Sequence, residues 1–300
     1  MPVSGLRDVQ RGLLMTALTF VLWGVVPLYW KLLKHVPPLQ IIAHRIVWCT
    51  LFVLGWLFLS VRFAWWHAIK ATPGARLMLL GSGVAIALDW GLYIWAINTD
   101  HVIESSLGYF ISPLLSVLLG VLLLQERLRG LQWLAVVCAA LGVAWLTWQA
   151  GKPPWIALGL ALSLSLYGLL RKVVAVDAVA GLCVESLYLF LPALALLLWG
   201  EAGHGGGFFS GWSVGTDVLL VFGGVVTALP LICFSYGVRL IPLSLLGLLQ
   251  YIGPTLGLAL GVWFFHEPFD AYKLLGFVVI WIGLLLFIGD TLWQVRRTMG

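Results

Sequence analysis

Long apolar runs, each bounded by charge, proline or glycine, recur along the chain at about 12–30, 39–60, 76–97, 103–124, 131–148, 154–172, 181–199, 217–238, 244–265 and 273–290. Each is near the ~20 residues an α-helix needs to cross a hydrocarbon core of ~30 Å. The pattern predicts an all-α polytopic membrane protein with ten transmembrane helices. The first run follows Arg7 and Arg11, as a signal peptide would. Its far flank, Tyr29-Trp30-Lys31-Leu32, lacks small residues for cleavage, so it is expected to stay as an uncleaved first span.

The chain also repeats itself. Ser112-Pro113, Gly120, Glu126 and Gly142 recur as Gly253-Pro254, Gly261, Glu267 and Gly283, each displaced by 141 residues. A weaker echo pairs Leu22-Trp23-Gly24 with Leu166-Tyr167-Gly168. The expected organisation is a first five-helix repeat over 1–150 and a second over 151–300. Five is odd, so the second copy must enter the bilayer upside down. Inverted repeats are characteristic of secondary transporters, whose substrate sites lie near midplane between the halves.

Composition sharpens this. The 300 residues are 62% hydrophobic and 10% charged, whereas soluble domains are nearer half apolar and about a quarter charged. The net charge of +5 comes from 17 Lys and Arg scattered singly or in pairs, not clustered on a basic face, so a nucleic-acid partner is not expected. With the N-terminus placed in the cytoplasm, twelve basic residues fall on the inner side and four (Lys31, Lys34, Lys152 and Lys273) on the outer. That asymmetry predicts both termini inside. Cys49, Cys138, Cys183 and Cys233 all lie in apolar segments without metal-ligand spacing and read as buried hydrophobes.

Polar groups within a bilayer are costly unless paired or facing water, which makes each a functional candidate. Asp89 is the acid nearest midplane, with Tyr93 one turn on, on the same face, and Asn98 at the outer end of the span. His44 and Arg45 lie just inside the outer end of the second span; Arg45 either snorkels or pairs with Glu104. Glu185 holds the matching place in the second half, with Arg171 or Lys172 as partner. Tyr109, Gln250 and Tyr251 precede Pro113 and Pro254, where a bent helix would open a polar cavity. Trp23 and Tyr167 are expected as aromatic walls. The candidate substrate site is therefore Trp23, Asp89, Tyr93, Asn98, Tyr109, Tyr167, Gln250 and Tyr251. Candidates for proton coupling or gating are His44, Arg45, Asp89, Arg171 and Glu185. Glu126 and Glu267 are expected to cap helix starts, and Gly257 with Gly261 to form a close helix contact.

No HExxH, Walker A lysine or dinucleotide-binding glycine motif is present, and neither a cofactor nor a metal is expected. Trp23-Gly24 with Pro27, His44-Arg45, Trp95 through Asn98, Glu104 through Pro113, Tyr167-Gly168 and Gln250 through Thr255 together make the chain resemble the EamA-like drug/metabolite transporters, specifically the RarD branch. That resemblance implies two inverted five-helix units in a bacterial inner membrane. In that fold the first four helices of each half surround a central cavity, and the fifth and tenth are peripheral. It also implies efflux of small metabolites or drugs, with protons as a candidate coupling ion. An uncoupled facilitator, a membrane enzyme acting on lipid intermediates and an assembly partner remain as alternatives.

Overall fold

The computed structural model describes residues 6–62, 64–99, 101–150, 155–208, 211–263 and 271–299; the side chains of Asn98, Glu104 and Gly261 lie outside the described set, as does Glu267 altogether. The described residues form helices α1 (Leu6–Lys31), α2 (Pro38–Ser60), α3 (Ala64–Ala71), α4 (Ala75–Asn98), α5 (Val102–Leu123), α6 (Gly130–Ala150), α7 (Trp155–Val173), α8 (Ala178–Glu201), α9 (Val214–Leu240), α10 (Leu243–Leu249), α11 (Ile252–Trp263) and α12 (Ala271–Met299). No strand occurs among them. Eight stretches are long and apolar enough to cross a membrane, one of them running from Leu243 to Leu260 across α10 and α11. Two shorter apolar stretches, Leu107–Leu123 and Leu274–Asp290, lie in α5 and α12. The perimeter carries exposed Leu, Val and Trp, such as Leu59, Leu77 and Trp148. In water such a surface would aggregate; in lipid it is solvated, and the chain is a multi-pass membrane protein.

Helix starts follow local chemistry. Asp177 Oδ1 accepts from Val179 and Ala180 at the head of α8, and Ser213 Oγ from Thr216 at the head of α9. Pro38 opens α2, where no donor is lost. The short α3 is too brief to span and was not expected; it buries Ile69 and lays Lys70 over the Trp66 ring at 5.2 Å.

Helix α1 packs on α9 and α11, α2 on α8 and α9, α4 on α7 and α8, α5 on α7 and α10, and α6 on α12. The α6–α12 pair is backbone-close: a Cβ on Gly142 would stand 2.8 Å from the Gly276 carbonyl, and one on Gly283 2.6 Å from that of Ala135. Gly257 has nothing within 4 Å of its would-be Cβ, so the expected close contact does not form there.

The two proline sites differ. The ninth apolar run breaks at Gln250-Tyr251, and Pro254 falls in the first turn of α11, where its missing N–H costs nothing. Helix α5 continues through Pro113. Carbonyls beside it take outside donors: the Tyr251 hydroxyl donates to Phe110 O at 3.2 Å and Ser165 Oγ to Ser112 O at 3.0 Å.

Candidate functional site

Two polar clusters lie at different levels of the crossing of α1, α2, α4, α7, α8 and α9. One is at the end where α1 starts and α9 finishes; a Cβ on Gly12 would meet Leu240 there at 2.7 Å. At this end Arg171 of α7 and Glu185 of α8, 0% and 2% exposed, stand 3.4 Å apart. Arg171 Nε donates to Ser235 of α9 at 2.8 Å and Nη2 to the Ala178 carbonyl at 3.1 Å, while Ser82 of α4 donates to Glu185 Oε1. Four helices are thereby tied to one ion pair. Gly181 makes the room, since a Cβ there would lie 2.1 Å from Arg171 Nη1. Of the two partners expected for Glu185, it is Arg171 that stands beside it, as a fully buried cation. Lys172 donates to the Val238 and Ile241 carbonyls, and Arg239 to that of Val176 at 2.6 Å, sealing the same end.

About two turns farther along, near the middle of α4, α7 and α9, Arg45 of α2 donates from Nε to Thr227 of α9 at 3.1 Å. Its guanidinium sits 4.7 Å from the Trp30 ring of α1 and 4.5 Å from the Trp90 ring of α4. Asp89, 2% exposed on α4, accepts from Ser163 of α7 at 3.3 Å and from the Tyr109 hydroxyl of α5 at 3.5 Å. Tyr93 meets Tyr109 edge-on at 5.9 Å. Arg45, Trp30, Trp90 and Tyr109 keep partial exposure, unlike the sealed Arg171–Glu185 pair.

Between the clusters lies a cavity of about 20 Å³, lined among others by Cys49, Trp90, Tyr167, Glu185 and Thr227. Trp90 and Thr227 belong to the Arg45 cluster and Glu185 to the Arg171 cluster. Glu185 Oε2 is buried with no hydrogen-bond partner.

The remaining candidates fall elsewhere. His44 turns away from Arg45, accepting from Trp48 Nε1 at 3.1 Å and lying 4.8 Å from the Phe208 ring. Gln250, 3% exposed, accepts from Ser116 at 3.3 Å and Ser112 at 3.5 Å, in a knot of α5, α7 and α10 apart from Asp89. Trp23 and Tyr167 are joined by Phe234, whose ring is 5.7 Å from the first and 5.4 Å from the second. The side chain of Asn98 lies outside the described residues.

Sequence reasoning missed Trp30, Trp90, Thr227, Phe234 and the serines. Glu126 caps a helix, though not its neighbour: its oxygens accept from Leu243 and Ser244 at 2.6 and 2.9 Å, the head of α10.

The model of the EamA-like transporter family matches residues 10–148 and again 153–289. The chain belongs to that family. Among relatives of this EamA-like protein, an uncharacterized transporter, PA0485 of Pseudomonas aeruginosa, is 42% identical over 97% of this chain and 97% of its own. The protein RarD of Escherichia coli is 39% identical over 97% and 98%, which places the chain in the RarD branch. A solved crystal structure superposes with TM-score 0.67 at 20% identity, covering 92% of this chain and 96% of that one, and so shares the fold.

Proposed function

We propose that the protein is a secondary transporter of the bacterial inner membrane, with both termini cytoplasmic. It exports small polar or amphipathic metabolites by alternating access between two inverted five-helix halves, 1–150 and 151–300. The observation that carries this is the placement of two polar clusters, one sealed and one partly open, on either side of a cavity that touches both. Each buried polar group in a bilayer costs several kcal/mol unless satisfied. An enzyme working on lipid headgroups would need such groups only at one interface. A permease needs them at midplane and toward a mouth, where the substrate is held and the path is closed.

Helix packing supports the inverted halves. The pairings α1 with α9 and α2 with α9 have counterparts in α7 with α4 and α8 with α4, while α2 meets α8 and α6 meets α12. This is the set of contacts expected when each helix of one half takes the role of its equivalent in the other. The family model matching twice along the chain agrees with it.

Metabolite comparison of cells with and without the gene names a candidate solute, and flux of that solute into proteoliposomes tests the reading. Saturable flux in either direction supports transport. Flux that ignores an imposed pH gradient leaves an uncoupled facilitator, and none above empty liposomes removes transport altogether.

A further inference from the structure

We infer that Arg45 is the anion receptor of the transport site and that the solute it admits carries a carboxylate. This rests on the transport reading above and narrows it to a substrate class.

Two arginines sit among the crossing helices, Arg171 buried and Arg45 partly exposed, and they are treated differently. Arg171 has a counter-ion in Glu185 and donates from Nε and Nη2. Arg45 has none in contact: among the described residues no carboxylate lies within 4 Å of it, Asp89 acts on it only from farther off, and its one hydrogen bond, from Nε to Thr227, leaves both terminal amino groups without an acceptor among those residues. Asp89, the acid on the neighbouring helix, is engaged by Ser163 and Tyr109. Glu104, whose side chain is not described, rides on α5, which packs chiefly against α7, α10 and α6.

A guanidinium drawn partly out of water loses hydration. Indole faces return part of it and satisfy no N–H. An anionic ligand would supply the acceptors. The guanidinium lies 4.7 Å from the Trp30 ring and 4.5 Å from the Trp90 ring, and Thr227 accepts from its Nε, so the terminal amino groups are left to an incoming acceptor. A carboxylate pairs with such a fork in plane through two parallel N–H···O bonds. Partial exposure of Arg45, Trp30 and Trp90 gives the ligand its way in.

The test is thermal unfolding of the purified full-length protein in nanodiscs with millimolar benzoate, phenylacetate and hexanoate, each against its own amide. At least one carboxylate is expected to raise Tm by roughly 2 °C or more while its amide does not. Arg45→Gln is expected to abolish the difference. Arg45→Lys, which keeps the charge but not the fork, is expected to raise the half-saturating concentration roughly tenfold; it serves as the decisive variant should Arg45→Gln not fold. Glu104→Gln is expected to leave both Tm and response unchanged. The inference is overturned if no carboxylate outperforms its amide, or if Arg45→Lys responds like the wild type. It also falls if Glu104→Gln lowers Tm as far as Arg45→Gln, because Glu104 would then be the counter-ion. Flux of an uncharged solute that survives in Arg45→Gln would sink the carboxylate assignment and leave the transporter standing.

Discussion

Arg171 and Glu185 face each other at 3.4 Å with virtually no contact with solvent, joining α7 to α8 while Ser82 and Ser235 bring in α4 and α9. A buried pair of this kind is worth little net against well-packed apolar residues, but removing one partner strands the other and costs about 3–5 kcal/mol. Glu185→Ala is therefore expected to lower Tm sharply. The double variant Arg171→Met, Glu185→Leu is expected to recover most of that loss. Because the same pair closes one end of the crossing, the double variant should fold and yet fail to transport. Thermal unfolding alongside proteoliposome flux separates the two effects. Recovery of flux together with stability would make the pair a structural relic rather than a gate.

Glycines at helix crossings divide into those that touch backbone and those that face open space. A Cβ on Gly224 of α9 would stand 2.5 Å from the Trp48 carbonyl carbon and 2.7 Å from Cys49 N on α2. Neither atom can yield without shifting a helix, so Gly224→Ala is expected to cost about 1–3 kcal/mol and to lower expression of folded protein. Gly257→Ala meets nothing and is expected to be silent in the same assay. A severe effect at Gly257 with monodisperse wild type would point to an assembly surface on α11.

Glu126 reaches across from the segment after α5 to the head of α10, accepting from two amides that have no intrahelical partner. The charge also favours the positive end of that helix. Glu126→Gln keeps one acceptor and loses the charge; Glu126→Ala loses both. The expected losses are about 0.5–1 and about 1–2 kcal/mol, in that order, read from thermal midpoints. Equal losses in both variants would show that the charge, not the acceptor, is what α10 uses.

Much of the helical layout was legible because spans in a bilayer must be long and apolar: the ends of α2, α4, α5 and α7 fall within a residue or so of the boundaries that charge and proline mark. At Gln250-Tyr251 the sequence offered a bend before Pro254, but not a full break into two helices, since Leu243 through Leu260 reads as one apolar run. Asp89, Tyr93 and Tyr109 came together as their helical phase and depth require. For Arg45 the sequence offered Glu104, whose side chain lies outside the described residues. The described neighbours of Arg45, namely Trp30, Trp90 and Thr227, come from three other helices, and no spacing within one helix encodes which indole another helix will present. Ser163, Ser165 and Ser235 were overlooked for a simpler reason: a serine in an apolar span can satisfy itself on its own helix, so its presence does not announce a partner.

Asp89 separates coupling from passage. Its two oxygens accept from Ser163 and Tyr109, and an asparagine of the same shape can still accept through its carbonyl oxygen. Asp89→Asn is thus expected to fold, with a change in stability of about 1 kcal/mol or less, while losing the one group at this depth of α4 that can take up and release a proton. If Asp89 carries the coupling proton, proteoliposomes with the variant should still equilibrate solute down its gradient but should no longer accumulate it against one when a pH difference is imposed. Tyr109→Phe removes only a long hydrogen bond and keeps the edge-on packing with Tyr93, so it should retain gradient-driven accumulation at a reduced rate. Accumulation that survives intact in Asp89→Asn would move the coupling role to Glu185, whose free oxygen borders the cavity between the clusters, or leave the protein a facilitator.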